Sequence, residues 1–186
     1  MKKLTLANRL SIFRILSIPF FVAALIYYNP QRDYLRWVAL GIFCMAVLSD
    51  LADGFIAKKL KQKTTLGLIL DPLADKTLLI SAFVTVASLR ICPPTLKLPT
   101  WVPIIVISRD AIIMLGVILI YAIKKKFEVF PSLLGKLTTF FQMLTIIFII
   151  AHFKFASFIW TTAVIFTVVS GIQYTARGIK ILGEEV

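Results

Sequence analysis

The chain is expected to be an all-α polytopic membrane protein: six transmembrane helices preceded by a short N-terminal amphipathic helix. Composition is the first reason. Of 186 residues, 59% are hydrophobic and 16% charged, with a mean hydropathy of +0.91, a balance foreign to soluble domains. The second is segmentation, with apolar runs at about 12–28, 35–57, 65–90, 101–123, 133–153 and 155–176, each of a length suited to crossing ~30 Å of hydrocarbon. The third is that polar or helix-breaking residues stand between the runs.

Taken in order, residues 2–11 pair Lys2, Lys3 and Arg9 with Leu4, Leu6 and Leu10, the pattern of an amphipathic helix lying at the interface. A cleaved signal peptide is the rival reading; Arg9 and Arg14 interrupt the early segment and no clear A-x-A site follows. Asn29-Pro30 closes the first span, the basic run 58–63 the second, and Cys92-Pro93-Pro94 with Pro99 the third. The lysines at 124–126 close the fourth, and a short step at 152–154 divides the last two. No internal repeat is visible, so a single membrane domain over residues 1–186 is expected.

The formal charge of +12 would suggest nucleic acid in a soluble protein. Here it reads as topology and attraction to anionic headgroups. If the N-terminus is cytoplasmic, that side carries fifteen Lys and Arg, among them Lys58, Lys76, Lys136 and Arg177. The other side carries five: Arg32, Arg36, Arg90, Lys97 and Lys154. Both termini should then face the cytoplasm. Cys44 in a span and Cys92 in a loop suggest no disulfide framework.

Four of the nine acidic residues, Asp50, Asp53, Asp71 and Asp75, fall within 26 residues of strongly apolar sequence. Carboxylates at membrane depth are costly and mark functional sites. Spacings of three and four residues put each pair on one helix face. With the second span ending near Lys58 and the third starting near Gly67, Asp53 and Asp50 lie about 7 and 12 Å inside the one, and Asp71 and Asp75 about 6 and 12 Å inside the other. Antiparallel neighbours would bring all four into one cytoplasm-facing cavity. Four convergent carboxylates repel one another unless a cation neutralises them, and all-oxygen ligation suits Mg²⁺ or Mn²⁺ rather than zinc. Lys76 has the reach to donate to a carboxylate or phosphate, or to snorkel to the headgroups. A hard metal beside lysines at headgroup level fits phosphoryl or phosphatidyl transfer, with the metal polarising phosphorus and a carboxylate taking the proton of an attacking hydroxyl.

The run Asp50-x-x-Asp53-Gly54-x-x-Ala57-Lys58, eight residues, then Gly67-x-x-x-Asp71-x-x-x-Asp75 resembles the signature of the CDP-alcohol phosphatidyltransferases. It departs at Lys58, where that family usually has Arg; Lys keeps the charge but loses the bidentate fork. The resemblance implies a six-helix membrane fold, a homodimer, and a site for two divalent ions. Asp50, Asp53 and Asp71 would ligate metal, and Asp75 would complete the site and accept the proton of the acceptor alcohol. Gly54, Lys58 and Gly67 would contact CDP-diacylglycerol, as would Asn8 and Ser11 by a looser match of Asn8-Arg9-Leu10-Ser11.

The opening run 6–15 and Gly135-Lys136-Leu137-Thr138-Thr139-x-x-Gln142 resemble the branch of that family whose acceptor is sn-glycerol 3-phosphate. Arg109, Lys136 and Arg177 would then bind the acceptor phosphate. A structural salt bridge to Asp110 is the plain alternative for Arg109, and snorkelling for Arg177. Ser108-Arg109-Asp110 is instead reminiscent of the cardiolipin-forming branch, which uses phosphatidylglycerol as acceptor. An ion transporter with intramembrane carboxylates is the remote alternative; Pro72 favours it, and the lack of repeats and the one-sided carboxylates oppose it. His152, Trp37, Trp101, Trp160, Tyr27 and Tyr28 read as interfacial residues.

Overall fold

Helices form where the apolar runs fall, because a chain in hydrocarbon must satisfy its backbone polar groups within each segment. The computed structural model describes residues 6–60, 65–89, 97–124 and 132–183. Among them are six α-helices: α1 Leu6–Ile26, α2 Tyr34–Leu60, α3 Thr65–Ser88, α4 Trp101–Lys124, α5 Leu133–Ile150 and α6 Ala156–Gly183. Among the described residues two stretches, Leu133–Ile150 and Ala156–Lys180, are long and apolar enough by length and composition to cross a membrane. Leu10–Ile26 is a shorter apolar helix.

The separate amphipathic helix expected over residues 2–11 is corrected for its described part. From Leu6 onward the chain enters α1 without a break, since no Gly or Pro interrupts residues 6–18. Residues 2–5 lie outside the described residues, as does Cys92.

Cross-helix contacts set the directions. Phe21 meets Phe43 at 5.6 Å between ring centroids and Arg14 meets Asp50, so α1 and α2 run antiparallel. Phe141 stacks on Phe166 at 5.1 Å while Ser132 meets Tyr174, so α5 and α6 do the same. Trp101 contacts Trp160, and Arg109 contacts Ser170; α4 and α6 are therefore parallel. The α1 helix packs on both α2 and α3, and α5 reaches α2 and α3 as well as α6. Phe21, Phe43, Phe83, Leu78, Val102 and Ile149 form the centre of the core. Ala39, Ala46 and Ala82 are fully buried there, as small residues are where helices approach closely. The exterior is apolar: Phe20, Leu48, Ile104, Leu115, Phe158 and Ile172 are all exposed, a lipid-facing pattern rather than scattered single residues.

The end of the bundle where α2 begins is pinned by Arg36. Its guanidinium pairs with Asp33 at 2.8 Å, donates to the Ile150 carbonyl at 3.1 Å, and lies over the Trp37 ring. It thus satisfies a C-terminal carbonyl that α5 cannot satisfy internally. The hydrogen bond from Arg36 holds the Asp33 carboxyl below its usual range. That contribution is complete above the ordinary carboxylate pKa and fades as pH falls through the depressed one. Arg36→Met is expected to lower the melting temperature in detergent by about 4–8 °C, from a loss of about 2 kcal/mol; an unchanged melt would show that this corner contributes nothing.

At the same end α5 turns into α6 through His152, which has a φ of 56°. The Phe153 amide bonds back to the Phe148 carbonyl and the His152 amide to that of Ile149, while the Phe148 and Phe153 rings meet at 5.1 Å. This is a Schellman cap with its hydrophobic contact, built with His where Gly is usual. Tyr27, Tyr28, Trp37, Trp101 and Trp160 lie at helix ends on this side, in keeping with an interfacial belt.

Candidate active site

Asp50 and Asp75 each lie ten residues from a helix terminus, the end of α2 at Leu60 and the start of α3 at Thr65. Both are therefore about 15 Å inward at 1.5 Å per residue, deeper than the 12 Å estimated from sequence because α2 continues two residues past Lys58 and α3 starts two before Gly67. The matching of depths stands. Asp75 also lies within electrostatic reach of Asp50, Arg14, Lys76 and Asp110. Asp53, Gly54, Lys58, Gly67 and Asp71 belong to the same two helices, but their side chains lie outside the described residues.

Arg14 is the largest surprise. From sequence it counts among cations at the membrane edge, yet its side chain is fully buried and its Nη1 sits 2.7 Å from Asp50 Oδ1. A buried guanidinium requires a carboxylate partner, and α1 supplies it from the helix that touches both carboxylate-bearing helices. Ser11, one turn earlier, is also buried. The side chain of Asn8 lies outside the described residues.

A second group of charges adjoins the first. Lys76 donates to Asp110 Oδ2 at 2.7 Å, and Arg109 Nη1 to Asp110 Oδ1 at 2.7 Å. Arg109 Nη2 continues to Ser170 Oγ at 2.6 Å, and its guanidinium lies 5.7 Å from the centre of the Tyr174 ring. Gly171 makes room for this arm, since a Cβ there would stand 3.3 Å from Arg109 Cγ. The Tyr174 hydroxyl accepts from the Ser132 amide just ahead of α5, and Ser132 Oγ caps that helix by accepting from Gly135. Arg177 lies within electrostatic reach of Tyr174, as Arg109 does. Lys136 and Arg177 are exposed. Of the three cations expected to meet an acceptor phosphate, Arg109 is thus bound into a salt bridge, and the other two lie on the α5 and α6 surfaces. The Thr138 and Gln142 side chains of the α5 motif serve helix pairing, bonding the Phe166 carbonyl and Thr167 on α6.

The donor set can be tested against a divalent cation. Among the described residues no group of three or more His, Cys, Asp and Glu converges; the side chains of Asp53 and Asp71 are not among them. What the described part shows fits a hard ion. Asp75 Oδ1 is buried with no hydrogen-bond partner among the described residues, an arrangement that costs free energy unless a ligand or cation completes it.

Long helices with apolar exteriors, enclosing carboxylates and guanidinium groups, describe a membrane protein with a polar site inside the bundle. The chain belongs to the CDP-alcohol phosphatidyltransferase family, whose model matches residues 4–169. A protein of Mycobacterium tuberculosis named probable phosphatidylglycerophosphate synthase is 33% identical over 185 residues, covering 96% of this chain and 83% of its own. A CDP-diacylglycerol–glycerol-3-phosphate 3-phosphatidyltransferase of Aquifex aeolicus is 31% identical over 186 residues, covering 96% and 98%. The Bacillus subtilis protein of the same name is 33% identical over 144 residues, covering 73% and 70%. The chain is accordingly a membrane enzyme that transfers phosphatidyl groups, in a family that generally depends on a divalent metal. The ion-transporter reading falls with this membership, and the cardiolipin-forming branch is not favoured.

Proposed function

We propose that this chain transfers the phosphatidyl group of CDP-diacylglycerol to sn-glycerol 3-phosphate, giving phosphatidylglycerophosphate and CMP. The observation that carries it is similarity over 96% of the chain to relatives bearing that activity in their names, joined to the intact spacing of the four Asp residues. The acceptor hydroxyl oxygen forms a bond to the phosphatidyl phosphorus, the bond from that phosphorus to the CMP oxygen breaks, and CMP leaves with the bonding pair. Asp75 takes the hydroxyl proton.

Asp50, Asp53, Asp71 and Asp75 would hold the metal, Mg²⁺ or Mn²⁺ and two ions per site. When bound, it supplies charge neutralisation for the diphosphate and the leaving phosphate. Asn8, Ser11, Gly54, Lys58 and Gly67 bind CDP-diacylglycerol in this reading, and Arg109, Lys136 and Arg177 draw in the acceptor phosphate. All six helices cross the cytoplasmic membrane as a single domain over residues 1–186, with both termini and the site toward the cytoplasm, and two chains form a homodimer. The charge asymmetry supports this orientation.

Purified protein in detergent with CDP-diacylglycerol and Mg²⁺ tests the reading, with glycerol 3-phosphate and phosphatidylglycerol offered separately. Metal-dependent CMP release is expected with glycerol 3-phosphate; release with phosphatidylglycerol alone would move the chain to the other branch. Lys58→Arg is expected to keep or raise the rate, because it restores the guanidinium fork. A large loss would mean that the pocket is adapted to Lys.

A further inference from the structure

One buried carboxylate takes no part in the chemistry above. The geometry points to Asp110 as a positioning residue that holds the Lys76 ammonium on α4 and so keeps it off the neighbouring Asp75. The inference rests on the reading of Asp75 as the proton acceptor.

Asp110 is almost wholly enclosed, its side chain 7% exposed. Each of its oxygens takes one cation, Lys76 on Oδ2 and Arg109 on Oδ1, both at 2.7 Å. One negative charge therefore faces two positive ones in a site poorly reached by water. Arg109 has a second anchor in Ser170. Lys76 pairs with Asp110 while its side chain keeps 31% of its surface exposed.

Next to Lys76 stands Asp75, with Oδ1 buried and unpartnered among the described residues. The two side chains already feel each other's charge. Adjacent residues on a helix do not face one another by default, but Arg109 and Asp110 show that neighbours in this bundle can bend together into a 2.7 Å contact. The lysine stem is flexible, with four carbons and three rotatable donors. Released from Asp110, the ammonium has a buried carboxylate oxygen one residue away. An Asp75 oxygen engaged by an ammonium is not free to receive the proton of an acceptor hydroxyl. Asp110 prevents this by giving the ammonium a better-enclosed partner on another helix, and the same contact ties α3 to α4.

Three variants test the idea in the full-length protein: Asp110→Asn, Lys76→Met, and the two combined. The readouts are CMP release with CDP-diacylglycerol, Mg²⁺ and glycerol 3-phosphate, and melting in detergent. Asp110→Asn is expected to lower kcat about 30-fold, while Lys76→Met stays within about threefold of wild type. The double variant is expected to turn over at least about fivefold faster than Asp110→Asn alone, a non-additivity that a merely structural loss does not produce. A double variant no faster than Asp110→Asn, or a collapse of rate in Lys76→Met alone, overturns the proposal. If Asp110→Asn is not recovered folded, the double variant, with one fewer unpaired cation, carries the test. A rate within about tenfold of wild type then supports it, and a greater loss overturns it. Wild-type protein that releases no CMP with glycerol 3-phosphate would instead sink the proposed function, a failure visible before any variant is compared.

Discussion

Asp75→Asn is expected to reduce CMP release by about 10³-fold or more while the protein stays folded and still binds CDP-diacylglycerol. A positioned proton acceptor contributes about 10²–10⁴-fold, and the same carboxylate is proposed to complete the metal site, so its loss removes more than one interaction. Amide for carboxylate is nearly isosteric, which limits the structural disturbance. Asp75 Oδ1 has no protein partner among the described residues to lose, so the melting temperature should hold or rise slightly. Turnover and nucleotide-lipid binding measured on the same preparation separate the outcomes. A variant with near-normal rate would end the assignment of Asp75 as proton acceptor. One that fails to bind CDP-diacylglycerol would move Asp75 from chemistry to substrate binding.

Arg14→Met is expected to destabilise the fold measurably. Removing one partner of a fully buried ion pair costs about 3–5 kcal/mol. Here the carboxylate left behind, Asp50, keeps 35% of its side-chain surface exposed, so solvent screens part of the penalty. A loss of about 1–3 kcal/mol follows, seen as a fall of roughly 3–10 °C in the detergent melt. Arg14→Lys keeps the charge without the fork and should fall between. Arg177→Met, at an exposed position on α6, should leave the melt unchanged. Equal melts for wild type and Arg14→Met would show that the Arg14–Asp50 contact is energetically neutral, as some buried pairs are when desolvation offsets attraction.

Much of this protein is legible along the chain. Helix limits follow from apolar runs and their punctuation, and even the close join before α6, at Ala156, lies within a residue of the expected 155. The Asp50, Asp53, Asp71 and Asp75 spacing marks the proposed site because carboxylates are rare in apolar sequence for energetic reasons. Less was legible where one residue type has two uses. A cation near a span end reads equally well as a snorkelling anchor or a buried partner, and Arg14 was counted with the anchors. An intramembrane arginine so far inside α1 was itself a signal. Lys76 and Asp110 are 34 residues apart, on helices whose relative rotation no local pattern states.

The sequence by itself determined that helices form over the apolar runs, and that Asp50 and Asp75 stand at matching distances from the ends of their helices. These are local consequences of hydropathy and of the 3.6-residue turn. Only the tertiary structure decided which cation serves which carboxylate. Arg14 reaches Asp50 because α1 packs on both carboxylate-bearing helices, and Lys76 reaches Asp110 because α3 lies against α4. Charge pairing in a low-dielectric bundle depends on separations of a few ångströms between side chains from different helices, and packing alone sets those separations.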